Sequence, residues 1–291
     1  MATADVAQSA PPVAHAGDPA SVLVIRPPGR LGALGFKVLW DYRELLYFLC
    51  KRDVLIRYKQ SLLGISWAVL QPLALALIFW VFFGRLAKVG SDGIPYPVFS
   101  LGALVAWNFT SQAVTQSAQS LVADSNLLAK VYFPRLVVPI ARVLSLTVDM
   151  GVALIVLAIF MAGYTVTPPV QLLTLPFFLL LGAGVAFGAG TFLAALNVRY
   201  RDVSVIVPLL VQMWLFLTPV VYPASLVGGA WKYLYALNPM VAVVSGSRWA
   251  LFDTPPPTWG QIAIAVGVTL AMLAAAVAYF RKTERFFADI I

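Results

Sequence analysis

Residues 52–83 read RDVLIRYKQSLLGISWAVLQPLALALIFWVFF. The first eight positions hold Arg52, Asp53, Arg57 and Lys59, whereas nothing between Leu62 and Phe83 is charged. An α-helix needs about 20 apolar residues to cross roughly 30 Å of hydrocarbon, so this stretch marks a chain entering a membrane. The whole composition agrees. Only 20 Lys and Arg and 12 Asp and Glu occur in 291 residues, 11 % charged against 61 % hydrophobic, where a soluble domain carries about 25 % charged residues. The chain reads as an all-α integral membrane protein.

Five further uncharged or nearly uncharged runs follow: Tyr96–Val122, polar in its second half, then Leu136–Tyr164, Val170–Leu196, Val203–Tyr222 and Thr258–Phe280. With Leu62–Phe83 they predict six transmembrane helices in a domain spanning 61–283. Upstream, 36–60 is predicted as an interfacial amphipathic helix. On it Tyr42, Leu45, Leu46, Leu49 and Ile56 take one side, and Asp41, Glu44, Lys51, Arg52 and Lys59 another. Residues 1–35, rich in Ala, Pro and Gly, lack the basic start and apolar core of a secretory signal and read as a disordered cytoplasmic tail. A second cytoplasmic tail is expected over 284–291. Between Tyr222 and Thr258, two short apolar pieces are broken by Gly-Gly, Asn-Pro and Ser-Gly. Neither is long enough to cross, which predicts a re-entrant helical hairpin before the last span.

An even number of spans puts both termini on one side. On that side lie eight basic residues before the first span, then Lys130, Arg135 and Arg142, Arg199 and Arg201, and finally Arg281, Lys282 and Arg285. The other side holds Arg85, Lys88, Lys232 and Arg248. The positive-inside rule then predicts cytoplasmic termini, and the net charge of +8 is read as this asymmetry rather than as a nucleic-acid surface.

The chemistry on offer is sparse. One cysteine, Cys50, and one histidine, His15, supply no disulfide framework, no metal site and no histidine-based catalysis. The absence of any Gly-Lys dipeptide removes the phosphate-binding loop, so an energy source is expected on another chain. Arg142 and Asp149, seven apart in the third span, are predicted to share a helix face, with Arg142 near enough to the cytoplasmic end to snorkel. The glycines of LGAGVAFGAG (181–190) form a small face for close helix packing, expected within one subunit. Aromatic residues crowd the first, second and fifth spans. Membrane-interface belts and sugar stacking call for the same residue type, so both readings stay open.

The stretch RDVLIRYKQSLLGISWAVLQPL (52–73), with NLLAKVYFPR (126–135), LNVRYRDV (196–203), LTPVVYP (217–223), LNPM (237–240) and the terminal FRKTERFFADII, resembles the membrane subunit of type-2 ABC exporters. The nearest branch is the O-antigen/teichoic-acid (Wzm-like) polysaccharide permeases. That resemblance implies a homodimer around a central channel in the inner (cytoplasmic) membrane, with two ATP-binding subunits that carry ATP and Mg; no cofactor belongs to this chain. It implies a docking and coupling loop at Asn126, Leu127, Lys130, Tyr132 and Arg135. Arg52, Arg57 and Lys59 become candidates to meet the pyrophosphate of a polyprenyl-linked glycan, or to contact membrane lipids. Trp67, Phe79, Phe82, Trp107, Phe109, Trp214, Phe216 and Tyr222 become candidate channel aromatics, and Pro219, Pro223, Asn238 and Pro239 an outer gate. Two other functions compete. A proton-coupled carrier would use Asp149, and an integral-membrane polyprenyl-phosphate transferase would need acids at one membrane face, where only the scattered Asp92, Asp124, Asp202 and Asp253 stand.

Overall fold

The computed structural model describes residues 40–59, 64, 66–131, 133–228 and 231–284. The described residues form helices and connecting turns, with no strand among them. The two tails lie outside this set, except for Glu284, which ends the last helix.

Helix α1 (Arg43–Lys59) precedes α2 (Ser66–Phe79), which continues through a wider π-helical turn over Trp80–Leu86. There the Ala87 amide donates to the Phe82 carbonyl at 2.8 Å, and the Arg85 guanidinium closes over the Trp80 ring. Helix α3 (Tyr96–Ala123) leads into the short α4 (Ser125–Lys130). Next come α5 (Val137–Ser145), α6 (Thr147–Gly163), α7 (Leu175–Arg199) and α8 (Val203–Phe216). After a single 3-10 turn at Ala224–Leu226 the chain makes α9 (Trp231–Ala236), α10 (Pro239–Phe252) and α11 (Trp259–Glu284).

Four stretches are both long and apolar enough to cross a membrane: Ser66–Leu86, Val137–Gly163, Val170–Arg199 and Trp259–Glu284. The remaining two expected spans differ for separate reasons. Helix α3 has 28 residues but a polar second half, and α8 has 14, about 21 Å at 1.5 Å per residue. The third expected span is two helices: α5 ends at Ser145 and α6 begins at Thr147. That junction separates Arg142 from Asp149, so they do not pair; each finds its partner on α1 or at the end of α3.

Helix α3 is the hub, packed against α2, α5, α6, α7, α8 and α10. Its seam with α7 is lined by small residues. A Cβ on Gly190 would meet the Ser117 Cβ at 2.5 Å, and one on Gly182 the Thr110 hydroxyl at 3.0 Å. The alternate glycines Gly184 and Gly188 turn the other way, to Thr269 and Met272 of α11. The glycine face therefore serves contacts inside one subunit, letting α7 approach two neighbours at once.

In the 222–258 region, Asn238-Pro239 is a true helix start: the Asn238 side chain accepts the Met240 amide at 3.1 Å, with Pro239 in the first turn. Ser245-Gly246 is not a break. It lies inside α10, where Gly246 makes room for the buried ring of Phe178. Gly246→Ala would drive a methyl into that ring. An overpacking loss of about 1–3 kcal/mol is expected, visible as a lower melting temperature of the detergent-solubilised protein. Gly267→Ala on α11, with open space around the position, should leave the melting temperature unchanged or slightly raised.

Candidate functional site

From Val98 to Leu121, α3 is buried at nearly every position. The half-open residues are Asn108, Gln112, Thr115, Gln116 and Gln119, spaced so that they form one polar stripe. Much of this stripe borders a cavity of about 560 Å³, within the roughly 300–1,000 Å³ of small-molecule sites. Trp67, Gln71 and Pro72 of α2 line it on one side, Asn108, Phe109, Gln112 and Gln116 of α3 on another, and Asp149 and Met150 of α6 on a third. Arg57 and Tyr58, at the end of α1, stand at its margin. Among the described residues, no hydrogen bond engages the side-chain amides of Gln71, Asn108 or Gln112.

Arg57 and Tyr58 both donate to the Asp149 carboxylate, one to each oxygen. The second guanidinium nitrogen of Arg57 donates to the Gln116 side-chain oxygen at 3.0 Å. Asp149 therefore has an ionic partner that the linear sequence kept 92 residues away.

One turn before Arg57, α1 is fixed by a closed ring of four charges. Arg52 bonds Asp53 at 2.9 Å and Asp124 at 3.0 Å; Arg142 bonds the same two carboxylates at 3.1 and 2.8 Å. Asp124 is the residue that separates α3 from α4, so the ring ties α1, α5 and the α3–α4 junction together. It also corrects the expected division of α1 into faces. Asp53 is buried because two guanidinium groups draw it inward, while Ile56 is exposed together with Tyr47, Phe48 and Leu55. Tyr42, Leu45 and Leu46 pack around Leu49 as expected, against Val137, Val138 and Ala141.

Cys50 sits on this packed side, and its thiol donates to the Ala141 carbonyl at 3.4 Å. Burial first, and then the Asp53 charge, push its pKa up to about 11. Since the thiolate is the nucleophile, the thiol of native protein should react with N-ethylmaleimide about a hundredfold more slowly at pH 7.4 than an ordinary cysteine. The rate should climb tenfold per pH unit up to about 11. Fast labelling at neutral pH would show that α1 leaves its seat.

At the other end of the bundle, Asn238 links the start of α10 to the end of α8. It accepts from the Trp214 indole at 3.0 Å and donates to the Leu217 carbonyl at 3.0 Å and the Thr218 hydroxyl at 3.1 Å. Beside it, Arg248 is fully enclosed. Its guanidinium donates to the carbonyls of Pro219, Val220, Tyr222 and Phe99 and lies 3.6 Å from the centre of the Phe99 ring. The Tyr222 and Tyr235 hydroxyls meet at 2.9 Å.

The residues singled out from sequence are distributed as follows. Asn126 and Lys130 are exposed on α4, with Leu127 half-buried; Arg135 donates to the Glu284 carbonyl at 2.9 Å; Tyr132 lies outside the described residues. Lys59 is exposed at the end of α1. Trp67 and Phe109 line the cavity. Phe79 and Trp107 are buried in the main core, Trp107 edge-on to Trp214, whereas Phe82 and Phe216 point outward. Pro219, Pro223, Asn238 and Pro239 cluster around Arg248 and the α10 start. Sequence reasoning missed the amide stripe, although Asn108, Gln112 and Gln116 recur every four residues in a helix that is otherwise apolar or small. It counted Arg248 only as an outer-side charge.

The chain is similar in sequence to several known transport proteins. The chain is 29 % identical over 256 residues to the O-antigen export system permease protein RfbA of Myxococcus xanthus, covering 87 % of this chain and 97 % of that one. A protein of the same name from Klebsiella pneumoniae is 26 % identical, covering 85 % and 95 %. The polysialic acid transport protein KpsM of Escherichia coli is 28 % identical over 75 % of this chain and 83 % of its own. Residues 44–252 match the ABC-2 type transporter family, a match that runs from α1 to the end of α10, and the chain belongs to that family of membrane transport proteins.

Proposed function

We propose that the chain is the membrane-spanning permease subunit of an ATP-driven exporter that moves a polysaccharide on a polyprenyl-pyrophosphate carrier, an O-antigen-type glycan, out of the cytoplasm. The observation that carries this reading is the cavity of about 560 Å³ bordered by Trp67, Phe109 and the amides of Gln71, Asn108 and Gln112, which have no hydrogen bond among the described residues. Amides both donate and accept, as sugar hydroxyls do, and aromatic faces offer an apolar surface to sugar C–H groups. The relatives are named for O-antigen export and polysialic acid transport, and the chain matches 83 to 97 % of their lengths, which supports a polysaccharide as cargo. In this reading α3 and α8 complete a set of six spans, and α9 and α10 form the re-entrant hairpin. Both termini face the cytoplasm at the inner membrane.

Two copies pair around a channel, and two separate ATP-binding subunits dock at α4. The Asp124 ring then transmits displacement of α4 to α1, and Arg57 carries it to the cavity margin. The open apolar side of α1, formed by Tyr47, Phe48, Leu55 and Ile56, suits a helix lying among lipid headgroups. Inverted membrane vesicles containing this chain and a co-expressed ATP-binding subunit test the reading. ATP-dependent uptake of lipid-linked glycan is expected. Uptake that persists with an inactive ATP-binding subunit and follows a proton gradient would favour a carrier instead.

A further inference from the structure

We infer that the glycan lies lengthwise along α3, one sugar unit per helical turn, on a ladder of three amide rungs: Gln116, Gln112 and Asn108. The inference rests on the polysaccharide-export reading above and adds to it the residues that touch the polymer and their register. The three side chains recur every four residues, so they share one face of α3 and rise by about 6 Å per step. One pyranose unit of an extended glycan covers nearly the same length. All three border the cavity, with Asn108 close to the middle of the 28-residue helix. An amide at that depth is costly unless water or a ligand meets it, and polar side chains inside a span mark the path of a substrate. Asn108 and Gln112 have no hydrogen bond among the described residues, and Gln116 accepts from Arg57 at 3.0 Å with its own NH2 group unused.

The wall contributed by α2 repeats the same step, since Trp67 and Gln71 are also four apart and both line the cavity. The ladder has an end. From Val98 to Trp107 every residue of α3 is buried, and the lining residue that follows Asn108 on this helix is the apolar Val105. Three rungs therefore meet three consecutive sugars. Advancing the polymer by one unit exchanges each set of contacts for an equivalent one, so the chain moves without a deep energy well to hold it. Amides donate as well as accept, so the same rungs pass hydroxyls, carboxylates and a pyrophosphate. The ladder reads spacing, not charge.

The test is equilibrium dialysis of labelled β-1,4-linked glucose oligomers, one to six units long, against the full chain in detergent. ATP-dependent uptake of lipid-linked glycan by the inverted vesicles described above is measured beside it. Affinity is expected to rise at least tenfold from one unit to three and to stay level from three to six. Gln112→Leu removes the middle rung and should cut that rise to twofold or less, whereas Gln112→Asn keeps the amide and should keep most of it. If Gln112→Leu does not purify, Asn108→Leu decides the matter, since loss of the last rung should move the plateau from three units to two. An affinity independent of length, one that still climbs at six units, or a rise and plateau unchanged by these Leu variants would overturn the inference. If no oligomer binds while the vesicles take up glycan with ATP, the ladder falls and export stands. If uptake itself fails, the export reading falls and this assignment with it.

Discussion

Arg142→Met is expected to unlatch α1 from the bundle. The substitution keeps a long apolar side chain but leaves Asp53 and Asp124 sharing Arg52 alone. The Asp53 side chain is only 1 % exposed and that of Asp124 11 %, so neither carboxylate regains water when its partner goes. Breaking a buried pair from one side typically costs about 3–5 kcal/mol, because the remaining charge stays buried and uncompensated. The loss should appear as a lower melting temperature and as faster tryptic cleavage at the exposed Lys51 and Lys59 of α1. Adding Asp124→Asn to Arg142→Met makes the cluster neutral again and should recover more than half of the loss. If Arg142→Met unfolds within about 0.5 kcal/mol of wild type, as surface substitutions do, the ring does not hold α1.

The Asp149 pair answers a different question. A carboxylate alone among apolar residues would suit proton exchange, and the chain as a linear string offers no partner at the depth of Asp149. Folding supplies one, since Arg57 and Tyr58 arrive from the end of α1. A carboxylate with both oxygens already engaged, one by a guanidinium and one by a phenol, is placed as a fixed counterion rather than as a free proton carrier.

Much of this was legible from residue type, and the reason is physical. A span betrays itself by the absence of charge over about 20 residues, and Val170–Arg199 or Trp259–Glu284 could hardly be read otherwise. What stayed hidden depends on which groups meet across the bundle. The α5–α6 junction at Leu146 has only Ser145 and Thr147 beside it in a stretch that is strongly apolar on average, so hydropathy passes through it. Ser245-Gly246 looked like a turn because a glycine needed for space and one needed for a bend read alike. Ile56 was grouped with Tyr42, Leu45, Leu46 and Leu49 on one side of α1 because periodicity alone does not say that Arg142 of another helix draws Asp53 inward. The amide stripe was visible as spacing, but its meaning depended on every other position of α3 being covered by neighbours.

Arg248 is the deepest of these hidden features, and its replacement should have the largest effect. The bare carbonyls it meets arise from sequence. Helix α8 ends at Phe216, and beyond it the Pro219 carbonyl would need an amide at position 223 to continue a helix, where Pro223 has none. Arg248 fills that deficit with a fork of donors, bonding Pro219, Val220 and Tyr222 while lying over Phe99. Arg248→Met removes the fork and leaves these buried acceptors unmet, at about 1–3 kcal/mol each. Their sum rivals a total stability of about 5–15 kcal/mol, so little monodisperse protein should be recovered. Arg248→Lys keeps the charge but not the planar fork and should melt between the two. Phe99→Leu keeps the hydrogen bonds and removes the ring face with part of a fully buried side chain, a loss of about 2–3 kcal/mol. The order Phe99→Leu above Arg248→Met in melting temperature is therefore required. If the order reverses, it is the ring, not the carbonyls, that holds the Leu217–Pro223 segment against α10.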